Sequence, residues 1–240
     1  MRGRFGAIWT ASFLALFLFG GSAAALRDGP LISENWAGYV FTNGPFRAVR
    51  GEWVEPSASC RPGKPSFVAF WLGLGGYALD AKHLEQIGSE VDCKGRGTAR
   101  TYSWFELVPN VSEILPVAVR PGDRLAASVS AAGDLFTLVL ENRTSHQLAR
   151  VVRRLRHPDL SSAEWIVEAP SLCEGERCTL EPLATFGRVA FSGAAAQTAA
   201  GRWLVLGRDG AGIPVELRRE GRAAAPGKVE AAGSFSVSRR

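Results

Sequence analysis

Short apolar runs rich in Val, Phe, Trp, Leu and Thr alternate along the chain with clusters of Gly, Pro, Asn and Asp. "SFVAFWLGL", "YSWFELV", "RLAASVSA", "LFTLVLEN", "AEWIVEA" and "WLVLG" are such runs, and "RPGD", "AAGD" and "GRDGAG" are turn signals between them. This spacing predicts an all-β protein of antiparallel strands, a sandwich or a barrel. No segment carries a convincing helix. Residues 147–156, "QLARVVRRLR", have helical spacing but fit a basic edge strand equally well. The tail from Arg222 reads as loose until "SFSVS", a candidate last strand.

Side chains alternate between the two faces of a strand, so the phase of each run is informative. In "LEQIGSEV", Gln86, Gly88 and Glu90 point one way and Ile87 and Val91 the other. Tyr102, Trp104 and Glu106 share a face opposite Phe105 and Leu107, and Glu164, Ile166 and Glu168 share one opposite Trp165 and Val167. Trp71, Gly73 and Gly75 oppose Phe70, Leu72 and Leu74. Each strand therefore has one apolar face for a core. The second face would carry Trp71, Gln86, Glu90, Trp104, Glu106 and Glu168. Large aromatics beside carboxylates, with glycines that admit a ligand to the backbone, suggest a concave binding surface. The competing arrangement buries both faces and leaves the carboxylates at strand ends.

The N-terminal residues change the picture of where the chain works. Arg2 and Arg4 precede an apolar run from Phe5 to Phe19, and "GSAAAL" places Ala23 and Ala25 in an A-x-A arrangement. This is the pattern of a secretory signal peptide, residues 1–25, cleaved near Ala25. The run is short for a spanning helix, which needs about 20 apolar residues. Residues 26–240 then suit a single exported domain with no membrane segment. Charge is mildly basic, 28 Lys+Arg against 23 Asp+Glu. No basic run is interleaved with aromatics, so nucleic acid is not an expected partner. Four cysteines, Cys60, Cys93, Cys173 and Cys178, suggest two disulfides in an exported chain. Cys173 and Cys178 can close a small local loop, leaving Cys60 with Cys93. A zinc site is the weaker alternative, because there is no C-x-x-C and His83, His146 and His157 are scattered. No metal or other cofactor is expected.

A series of these segments, in order, resembles the eqolisin family, the glutamic peptidases of family G1: "SENWAGYV", "GEWVEP", "FWLGLGG", "LEQIG", "YSWFELVP", "RPGDRLAASVS", "SAEWIVEAPS" and "LATFGRVAFSGA". The match is strongest over residues 33–194. The resemblance implies an antiparallel two-sheet β-sandwich of the concanavalin A-like or jelly-roll type. It implies an acid-active endopeptidase acting on protein or peptide substrates without metal, and a monomer is expected. It places the catalytic glutamine at Gln86 and the catalytic glutamate at Glu168. Trp71, Trp104 and Glu106 fall on the family's active-site aromatics and supporting glutamate, and Glu90 on one of its further acids. Two other family acids are missing, with Gly75 and Tyr102 in their places.

Peptide hydrolysis needs a deprotonated water, a donor for the carbonyl oxygen as it becomes an anion, and a proton for the leaving amine. A glutamate, with an ordinary pKa of about 4.3, can take and return the proton in acid. A glutamine amide keeps its donor and its neutrality at every pH, which a histidine or second carboxylate does not. Glu168 would thus shuttle protons while Gln86 steadies the oxyanion. Glu106 would either tune Glu168 as a neighbouring carboxylate or stand as a solvated strand residue. A serine-hydrolase elbow, a D-[ST]-G pair and a dinucleotide loop are all missing. The alternatives are a non-catalytic carbohydrate- or protein-binding module on this fold, and a glycosidase using Glu106 with Glu168. "NVS" at Asn110 and "NRT" at Asn142 are glycosylation sequons, meaningful only in a eukaryotic secretory pathway.

Overall fold

The computed structural model describes residues 30–240 except 43, 79, 175, 176, 220, 231 and 232, and omits the side chains of 173, 174, 177 and 222. The expected leader, residues 1–25, lies outside the described residues. Eighteen strands and no helix are formed among those that are described. In chain order they are β1 (Leu31–Ser33), β2 (Trp36–Phe41), β3 (Phe46–Val54), β4 (Ser66–Gly75), β5 (Leu84–Lys94) and β6 (Thr98–Val108). Then come β7 (Glu113–Ile114), β8 (Arg124–Ala132), β9 (Leu135–Asn142), β10 (Gln147–Arg154), β11 (Ala163–Glu168) and β12 (Ser171–Glu174). The last are β13 (Arg177–Leu180), β14 (Arg188–Thr198), β15 (Trp203–Val205), β16 (Ile213–Arg219), β17 (Arg222–Pro226) and β18 (Phe235–Arg239).

These strands form an antiparallel β-sandwich, apart from the short parallel pair β1–β16. One layer runs β10-β9-β8-β3-β14, and the other runs β16-β2-β11-β4-β5-β6-β7. The hydrogen-bond ladder is continuous from one layer to the other through β18 and β17. Residues 147–154 are therefore the edge strand allowed by their sequence, and no helix. The segment after Arg222, expected to be loose, is instead β17, paired on both sides. Its alanines supply the reason: Ala224 and Ala225 are buried where the ladder passes from one layer to the other.

The period-two pattern explains β9 and most of β8, whose buried residues alternate with half-buried or exposed ones. Val49, Trp53, Leu125, Val129, Phe136 and Leu138 of one layer meet Phe70, Leu72, Ile87 and Trp165 of the other in one core. β4 and β11 break the alternation, because nearly every residue in them is buried. Both of their faces are covered. The second face carries a separate apolar cluster of Val40, Ala69, Trp71, Leu84, Trp104, Ile166 and Val215. That cluster is the floor on which the candidate site stands.

Cys60 and Cys93 form a disulfide with Cα atoms 5.2 Å apart, tying the loop before β4 to the end of β5. Cys178 is disulfide-bonded, and the β12–β13 hairpin sets it directly across from Cys173.

Candidate active site

Register across five strands of the second layer builds the site row by row. The first row reads Trp36, Glu168, Ala69, Glu90, Tyr102 across β2, β11, β4, β5 and β6. The second reads Gly38, Ile166, Trp71, Gly88, Trp104, and the third Val40, Glu164, Gly73, Gln86, Glu106. Trp71, Gln86, Glu90, Trp104, Glu106 and Glu168 thus share one face. Gly88 separates the two tryptophans of the middle row because nothing larger fits. A Cβ there would stand 2.2 Å from the Phe70 carbonyl oxygen and 2.6 Å from the Trp71 Cβ.

Trp71 is fully buried and joins the outer rows. Its indole Nε1 donates to Glu168 Oε2 at 2.8 Å, while the far edge of its ring lies 3.1 Å from where a Gly73 Cβ would stand, beside Gln86. Glu168 and Gln86 therefore stand at opposite ends of one indole. Trp36 packs edge-on to Trp71, with ring centroids 5.1 Å apart. The other oxygen of Glu168, Oε1, accepts from Asn35 Nδ2 at 3.0 Å. Burial pushes the Glu168 carboxyl up to about 7, against the hydrogen bonds from Trp71, Trp36 and Asn35, which favour its ionised form. Charge on Glu106 raises it further.

Gln86 is buried, and its Nε2 donates to Glu106 Oε2 at 2.7 Å. A carboxylate only accepts, so this contact fixes which end of the amide faces β6. Gln86 Oε1 and Trp104 Nε1 are buried without a protein partner. Burial raises the Glu106 carboxyl, opposed by the bond from Gln86. Glu90 faces Glu168 from the far side of Ala69. Burial, then the adjacent Asp92, pushes Glu90 up, with the Tyr102 hydroxyl opposing. Tyr102 Oη also donates to Asp92 Oδ1 at 3.3 Å, and Lys94 Nζ lies 2.8 Å from Asp92 Oδ2.

The two missing family acids have local explanations. Gly75 has φ +80°, and a Cβ on it would lie 2.4 Å from the Asp159 carbonyl oxygen, so no aspartate stands there. A carboxylate arrives from the opposite loop instead: Asp159 Oδ2 accepts from Gly76 N at 3.0 Å and Oδ1 from Ser161 N at 2.9 Å. At Tyr102 the hydroxyl serves as a donor to the acids of β5, where a carboxyl would have been a third acid. Sequence reasoning assigned no role to Asn35, Trp36, Asp92 or Asp159. Trp36 and Asp92 were accessible from strand phase, each lying on the face of Glu168 or Glu90. Asn35 and Asp159 lie outside strands, where phase says nothing. Among the described residues no group of three or more His, Cys, Asp or Glu is arranged to hold a metal ion.

The Peptidase A4 family profile matches residues 34–239. Scytalido-glutamic peptidase, solved with a transition-state analogue inhibitor, is similar in structure: TM-score 0.73 and 23% identity, over 86% of this chain and 98% of that one. SCP-B, described as a member of the eqolisin family in complex with the tripeptide Ala-Ile-His, matches with TM-score 0.65 and 18% identity over 86% and 98% of the two chains. Aspergilloglutamic peptidase from Aspergillus niger matches with TM-score 0.61 and 22% identity over 73% and 99%. No curated protein sequence matches the chain. With the profile spanning nearly all of the described residues, the chain belongs to the Peptidase A4 family, the glutamic endopeptidases.

Proposed function

We propose that this chain is an exported, monomeric, acid-active endopeptidase whose catalytic pair is Glu168 and Gln86, with Glu106, Glu90, Trp71 and Trp104 shaping the cleft around them. The observation that carries this reading is the placement of the pair at the two ends of the Trp71 indole, on one face of one sheet. An extended peptide held against this face would offer its scissile carbonyl to both, and SCP-B, among the relatives named above, was solved in complex with a tripeptide.

In the reaction, protonated Glu168 gives its proton to the amide nitrogen and takes one from the attacking water, whose oxygen bonds to the carbonyl carbon. Gln86 Nε2, held by Glu106, turns its second N–H to the carbonyl oxygen as that oxygen becomes an anion. Its unpartnered Oε1 is available to orient the water. The C–N bond breaks as the carbonyl re-forms, and the carboxyl is left protonated, as it began. Above about pH 7 Glu168 loses its proton and can no longer deliver it, so activity falls as pH rises through that value. A neutral amide avoids placing a second titrating group at the oxyanion. One such donor is worth about 10²–10³ in rate.

A sugar-binding role needs an exposed aromatic platform, and Trp71 and Trp104 are both buried. Glu106 holds Gln86 in place of serving as a second glycosidase carboxyl. The mature protein should digest denatured casein or haemoglobin at about pH 2–5, the range in which Glu168 is protonated. Glu168→Gln with wild-type turnover would remove the mechanism, and Gln86→Ala should retain at most about a hundredth of the rate.

A further inference from the structure

The hydrogen bonds at the start of β2 extend the site beyond the two catalytic side chains. Asn35 lies just before that strand and is tied to the end of β11 twice: its carbonyl accepts from Ala169 N at 2.9 Å, and its Nδ2 donates to Glu168 Oε1 at 3.0 Å. The amide has only one useful orientation, and Ser33 selects it. Ser33 Oγ donates to Asn35 Oδ1 at 3.1 Å and accepts from the backbone N–H groups of Asn35 and Trp36 at 3.3 and 3.0 Å. With Oδ1 occupied by a hydroxyl donor, the NH₂ end is turned to Glu168.

We infer that Asn35, locked by Ser33, is a positioning residue that fixes the plane of the Glu168 carboxyl and favours its ionised form. Trp36 also donates to the carboxyl, and with Trp71 on Oε2 and Asn35 on Oε1 both oxygens are held and the carboxyl cannot rotate without breaking a hydrogen bond. All three donors are neutral at every working pH, so the grip does not titrate. The other titratable groups facing Glu168 are Glu106 of β6 and Glu90 of β5, both carboxyls that oppose its ionisation. The clamp acts against that repulsion. This inference rests on the proposed role of Glu168.

The test compares wild type with Asn35→Ala, Asn35→Asp and Ser33→Ala, reading kcat, KM and the pH profile of peptide hydrolysis together with thermal melting. Asn35→Ala should lower kcat about 10- to 100-fold, as the loss of a buried hydrogen bond implies, with KM little changed. The limb of the profile governed by Glu168 should move to higher pH, because the ionised form has lost a donor. Asn35→Asp should recover activity only at the acid end, where the two carboxyls share a proton, and lose it as both ionise. Ser33→Ala should move the limb the same way by less, and it carries the test should the Asn35 variants fail to fold. A loss equal at every pH and matched by a fall in melting temperature would mark a merely structural role and overturn the inference. So would unchanged kcat with an unchanged profile. If wild type itself cleaves no peptide, the proposed function fails instead. The clamp is then judged by ¹³C-carboxyl NMR, in which the Glu168 titration must move to higher pH in Asn35→Ala.

Discussion

Raising the pH should unfold this protein, through carboxyls the catalytic reading does not use. Glu55 lies in the core between the layers. Its Oε2 accepts from Ser89 Oγ and Trp53 Nε1, and its Oε1 has no partner. Burial pushes it to about 7, against those two hydrogen bonds. Glu85 is fully buried with both oxygens unpartnered; burial, then the charge of Asp159, pushes it to about 8. In the unfolded chain both return to 4.5. Between 4.5 and these raised values the folded state holds protons that the unfolded state has released, so each increment of pH favours unfolding. The contribution is fully present below pH 4.5, declines across the window and is gone above about 8.

A tenfold change in proton affinity is worth about 1.4 kcal/mol, so Glu55 accounts for about 3 kcal/mol and Glu85 for about 5 kcal/mol. Neither side chain is exposed, so water does not screen the effect. A domain's whole stability is about 5–15 kcal/mol, which makes the loss comparable to the total. Urea unfolding at pH 4 and pH 8 measures it. Wild type should lose most of its midpoint concentration at pH 8, and Glu85→Gln and Glu55→Gln should each flatten the dependence, the first more. Stability that is level or rising from pH 4 to pH 8, or an unaltered slope in both variants, would refute this reasoning.

Other changes test the architecture. Gly75→Asp, which puts back the acid that the family resemblance leads one to expect, should destabilise the protein by at least about 2 kcal/mol, since φ is +80° and the Cβ meets a backbone carbonyl; a neutral or improved melting temperature would show that the loop from Asp159 moves freely. Replacing Cys60 and Cys93 by serine opens a crosslink spanning 33 residues, for which chain entropy gives roughly 4 kcal/mol, read as a fall in the urea midpoint. Asn142 is fully buried, its Nδ2 donating to Ala118 O and Asp123 Oδ2 and its Oδ1 accepting from Thr144 N and Ser145 N. Expressed through a glycosylating pathway, the folded protein should carry no glycan there, and Asn142→Ala should cost about 2–3 kcal/mol as its partners lose their bonds.

Strand phase made the site face legible because a β-strand's geometry is local. Once "LEQIGSEV", "YSWFELV" and "EWIVE" are strands, the face shared by Gln86, Glu106 and Glu168 follows from counting residues. What phase could not supply was which rows align, since register depends on turns and on partners far away in the chain. Gln86 meeting Glu106, and not Glu168, is such a fact. Nor could it supply the clamp from Asn35 or the carboxylate from Asp159, because both come from connections whose course is set by packing. The tail after Arg222 misled for a related reason: a run of alanines has weak strand propensity, and its place in the ladder is decided by the strands it joins between the two layers.

The buried carboxyls tie the working range of the site to the stable range of the fold. Glu168 is raised by the same physical cause as Glu55 and Glu85, removal from water by a sheet covered on both faces. A surface glutamate would be ionised at pH 5 and would have no proton to deliver. Covering the face of β4 and β11 to protect that proton also commits neighbouring glutamates on the same strands to a neutral state. Glu164, four residues before Glu168 on β11, is raised well above the usual carboxylate range by burial, against a hydrogen bond from Ser162. An acid medium meets both needs together, keeping the catalytic carboxyl loaded and the buried glutamates uncharged. An engineered variant active at pH 8 would therefore need two kinds of change: a higher proton affinity at Glu168 would be useless while Glu55, Glu85 and Glu164 remained to ionise inside the fold.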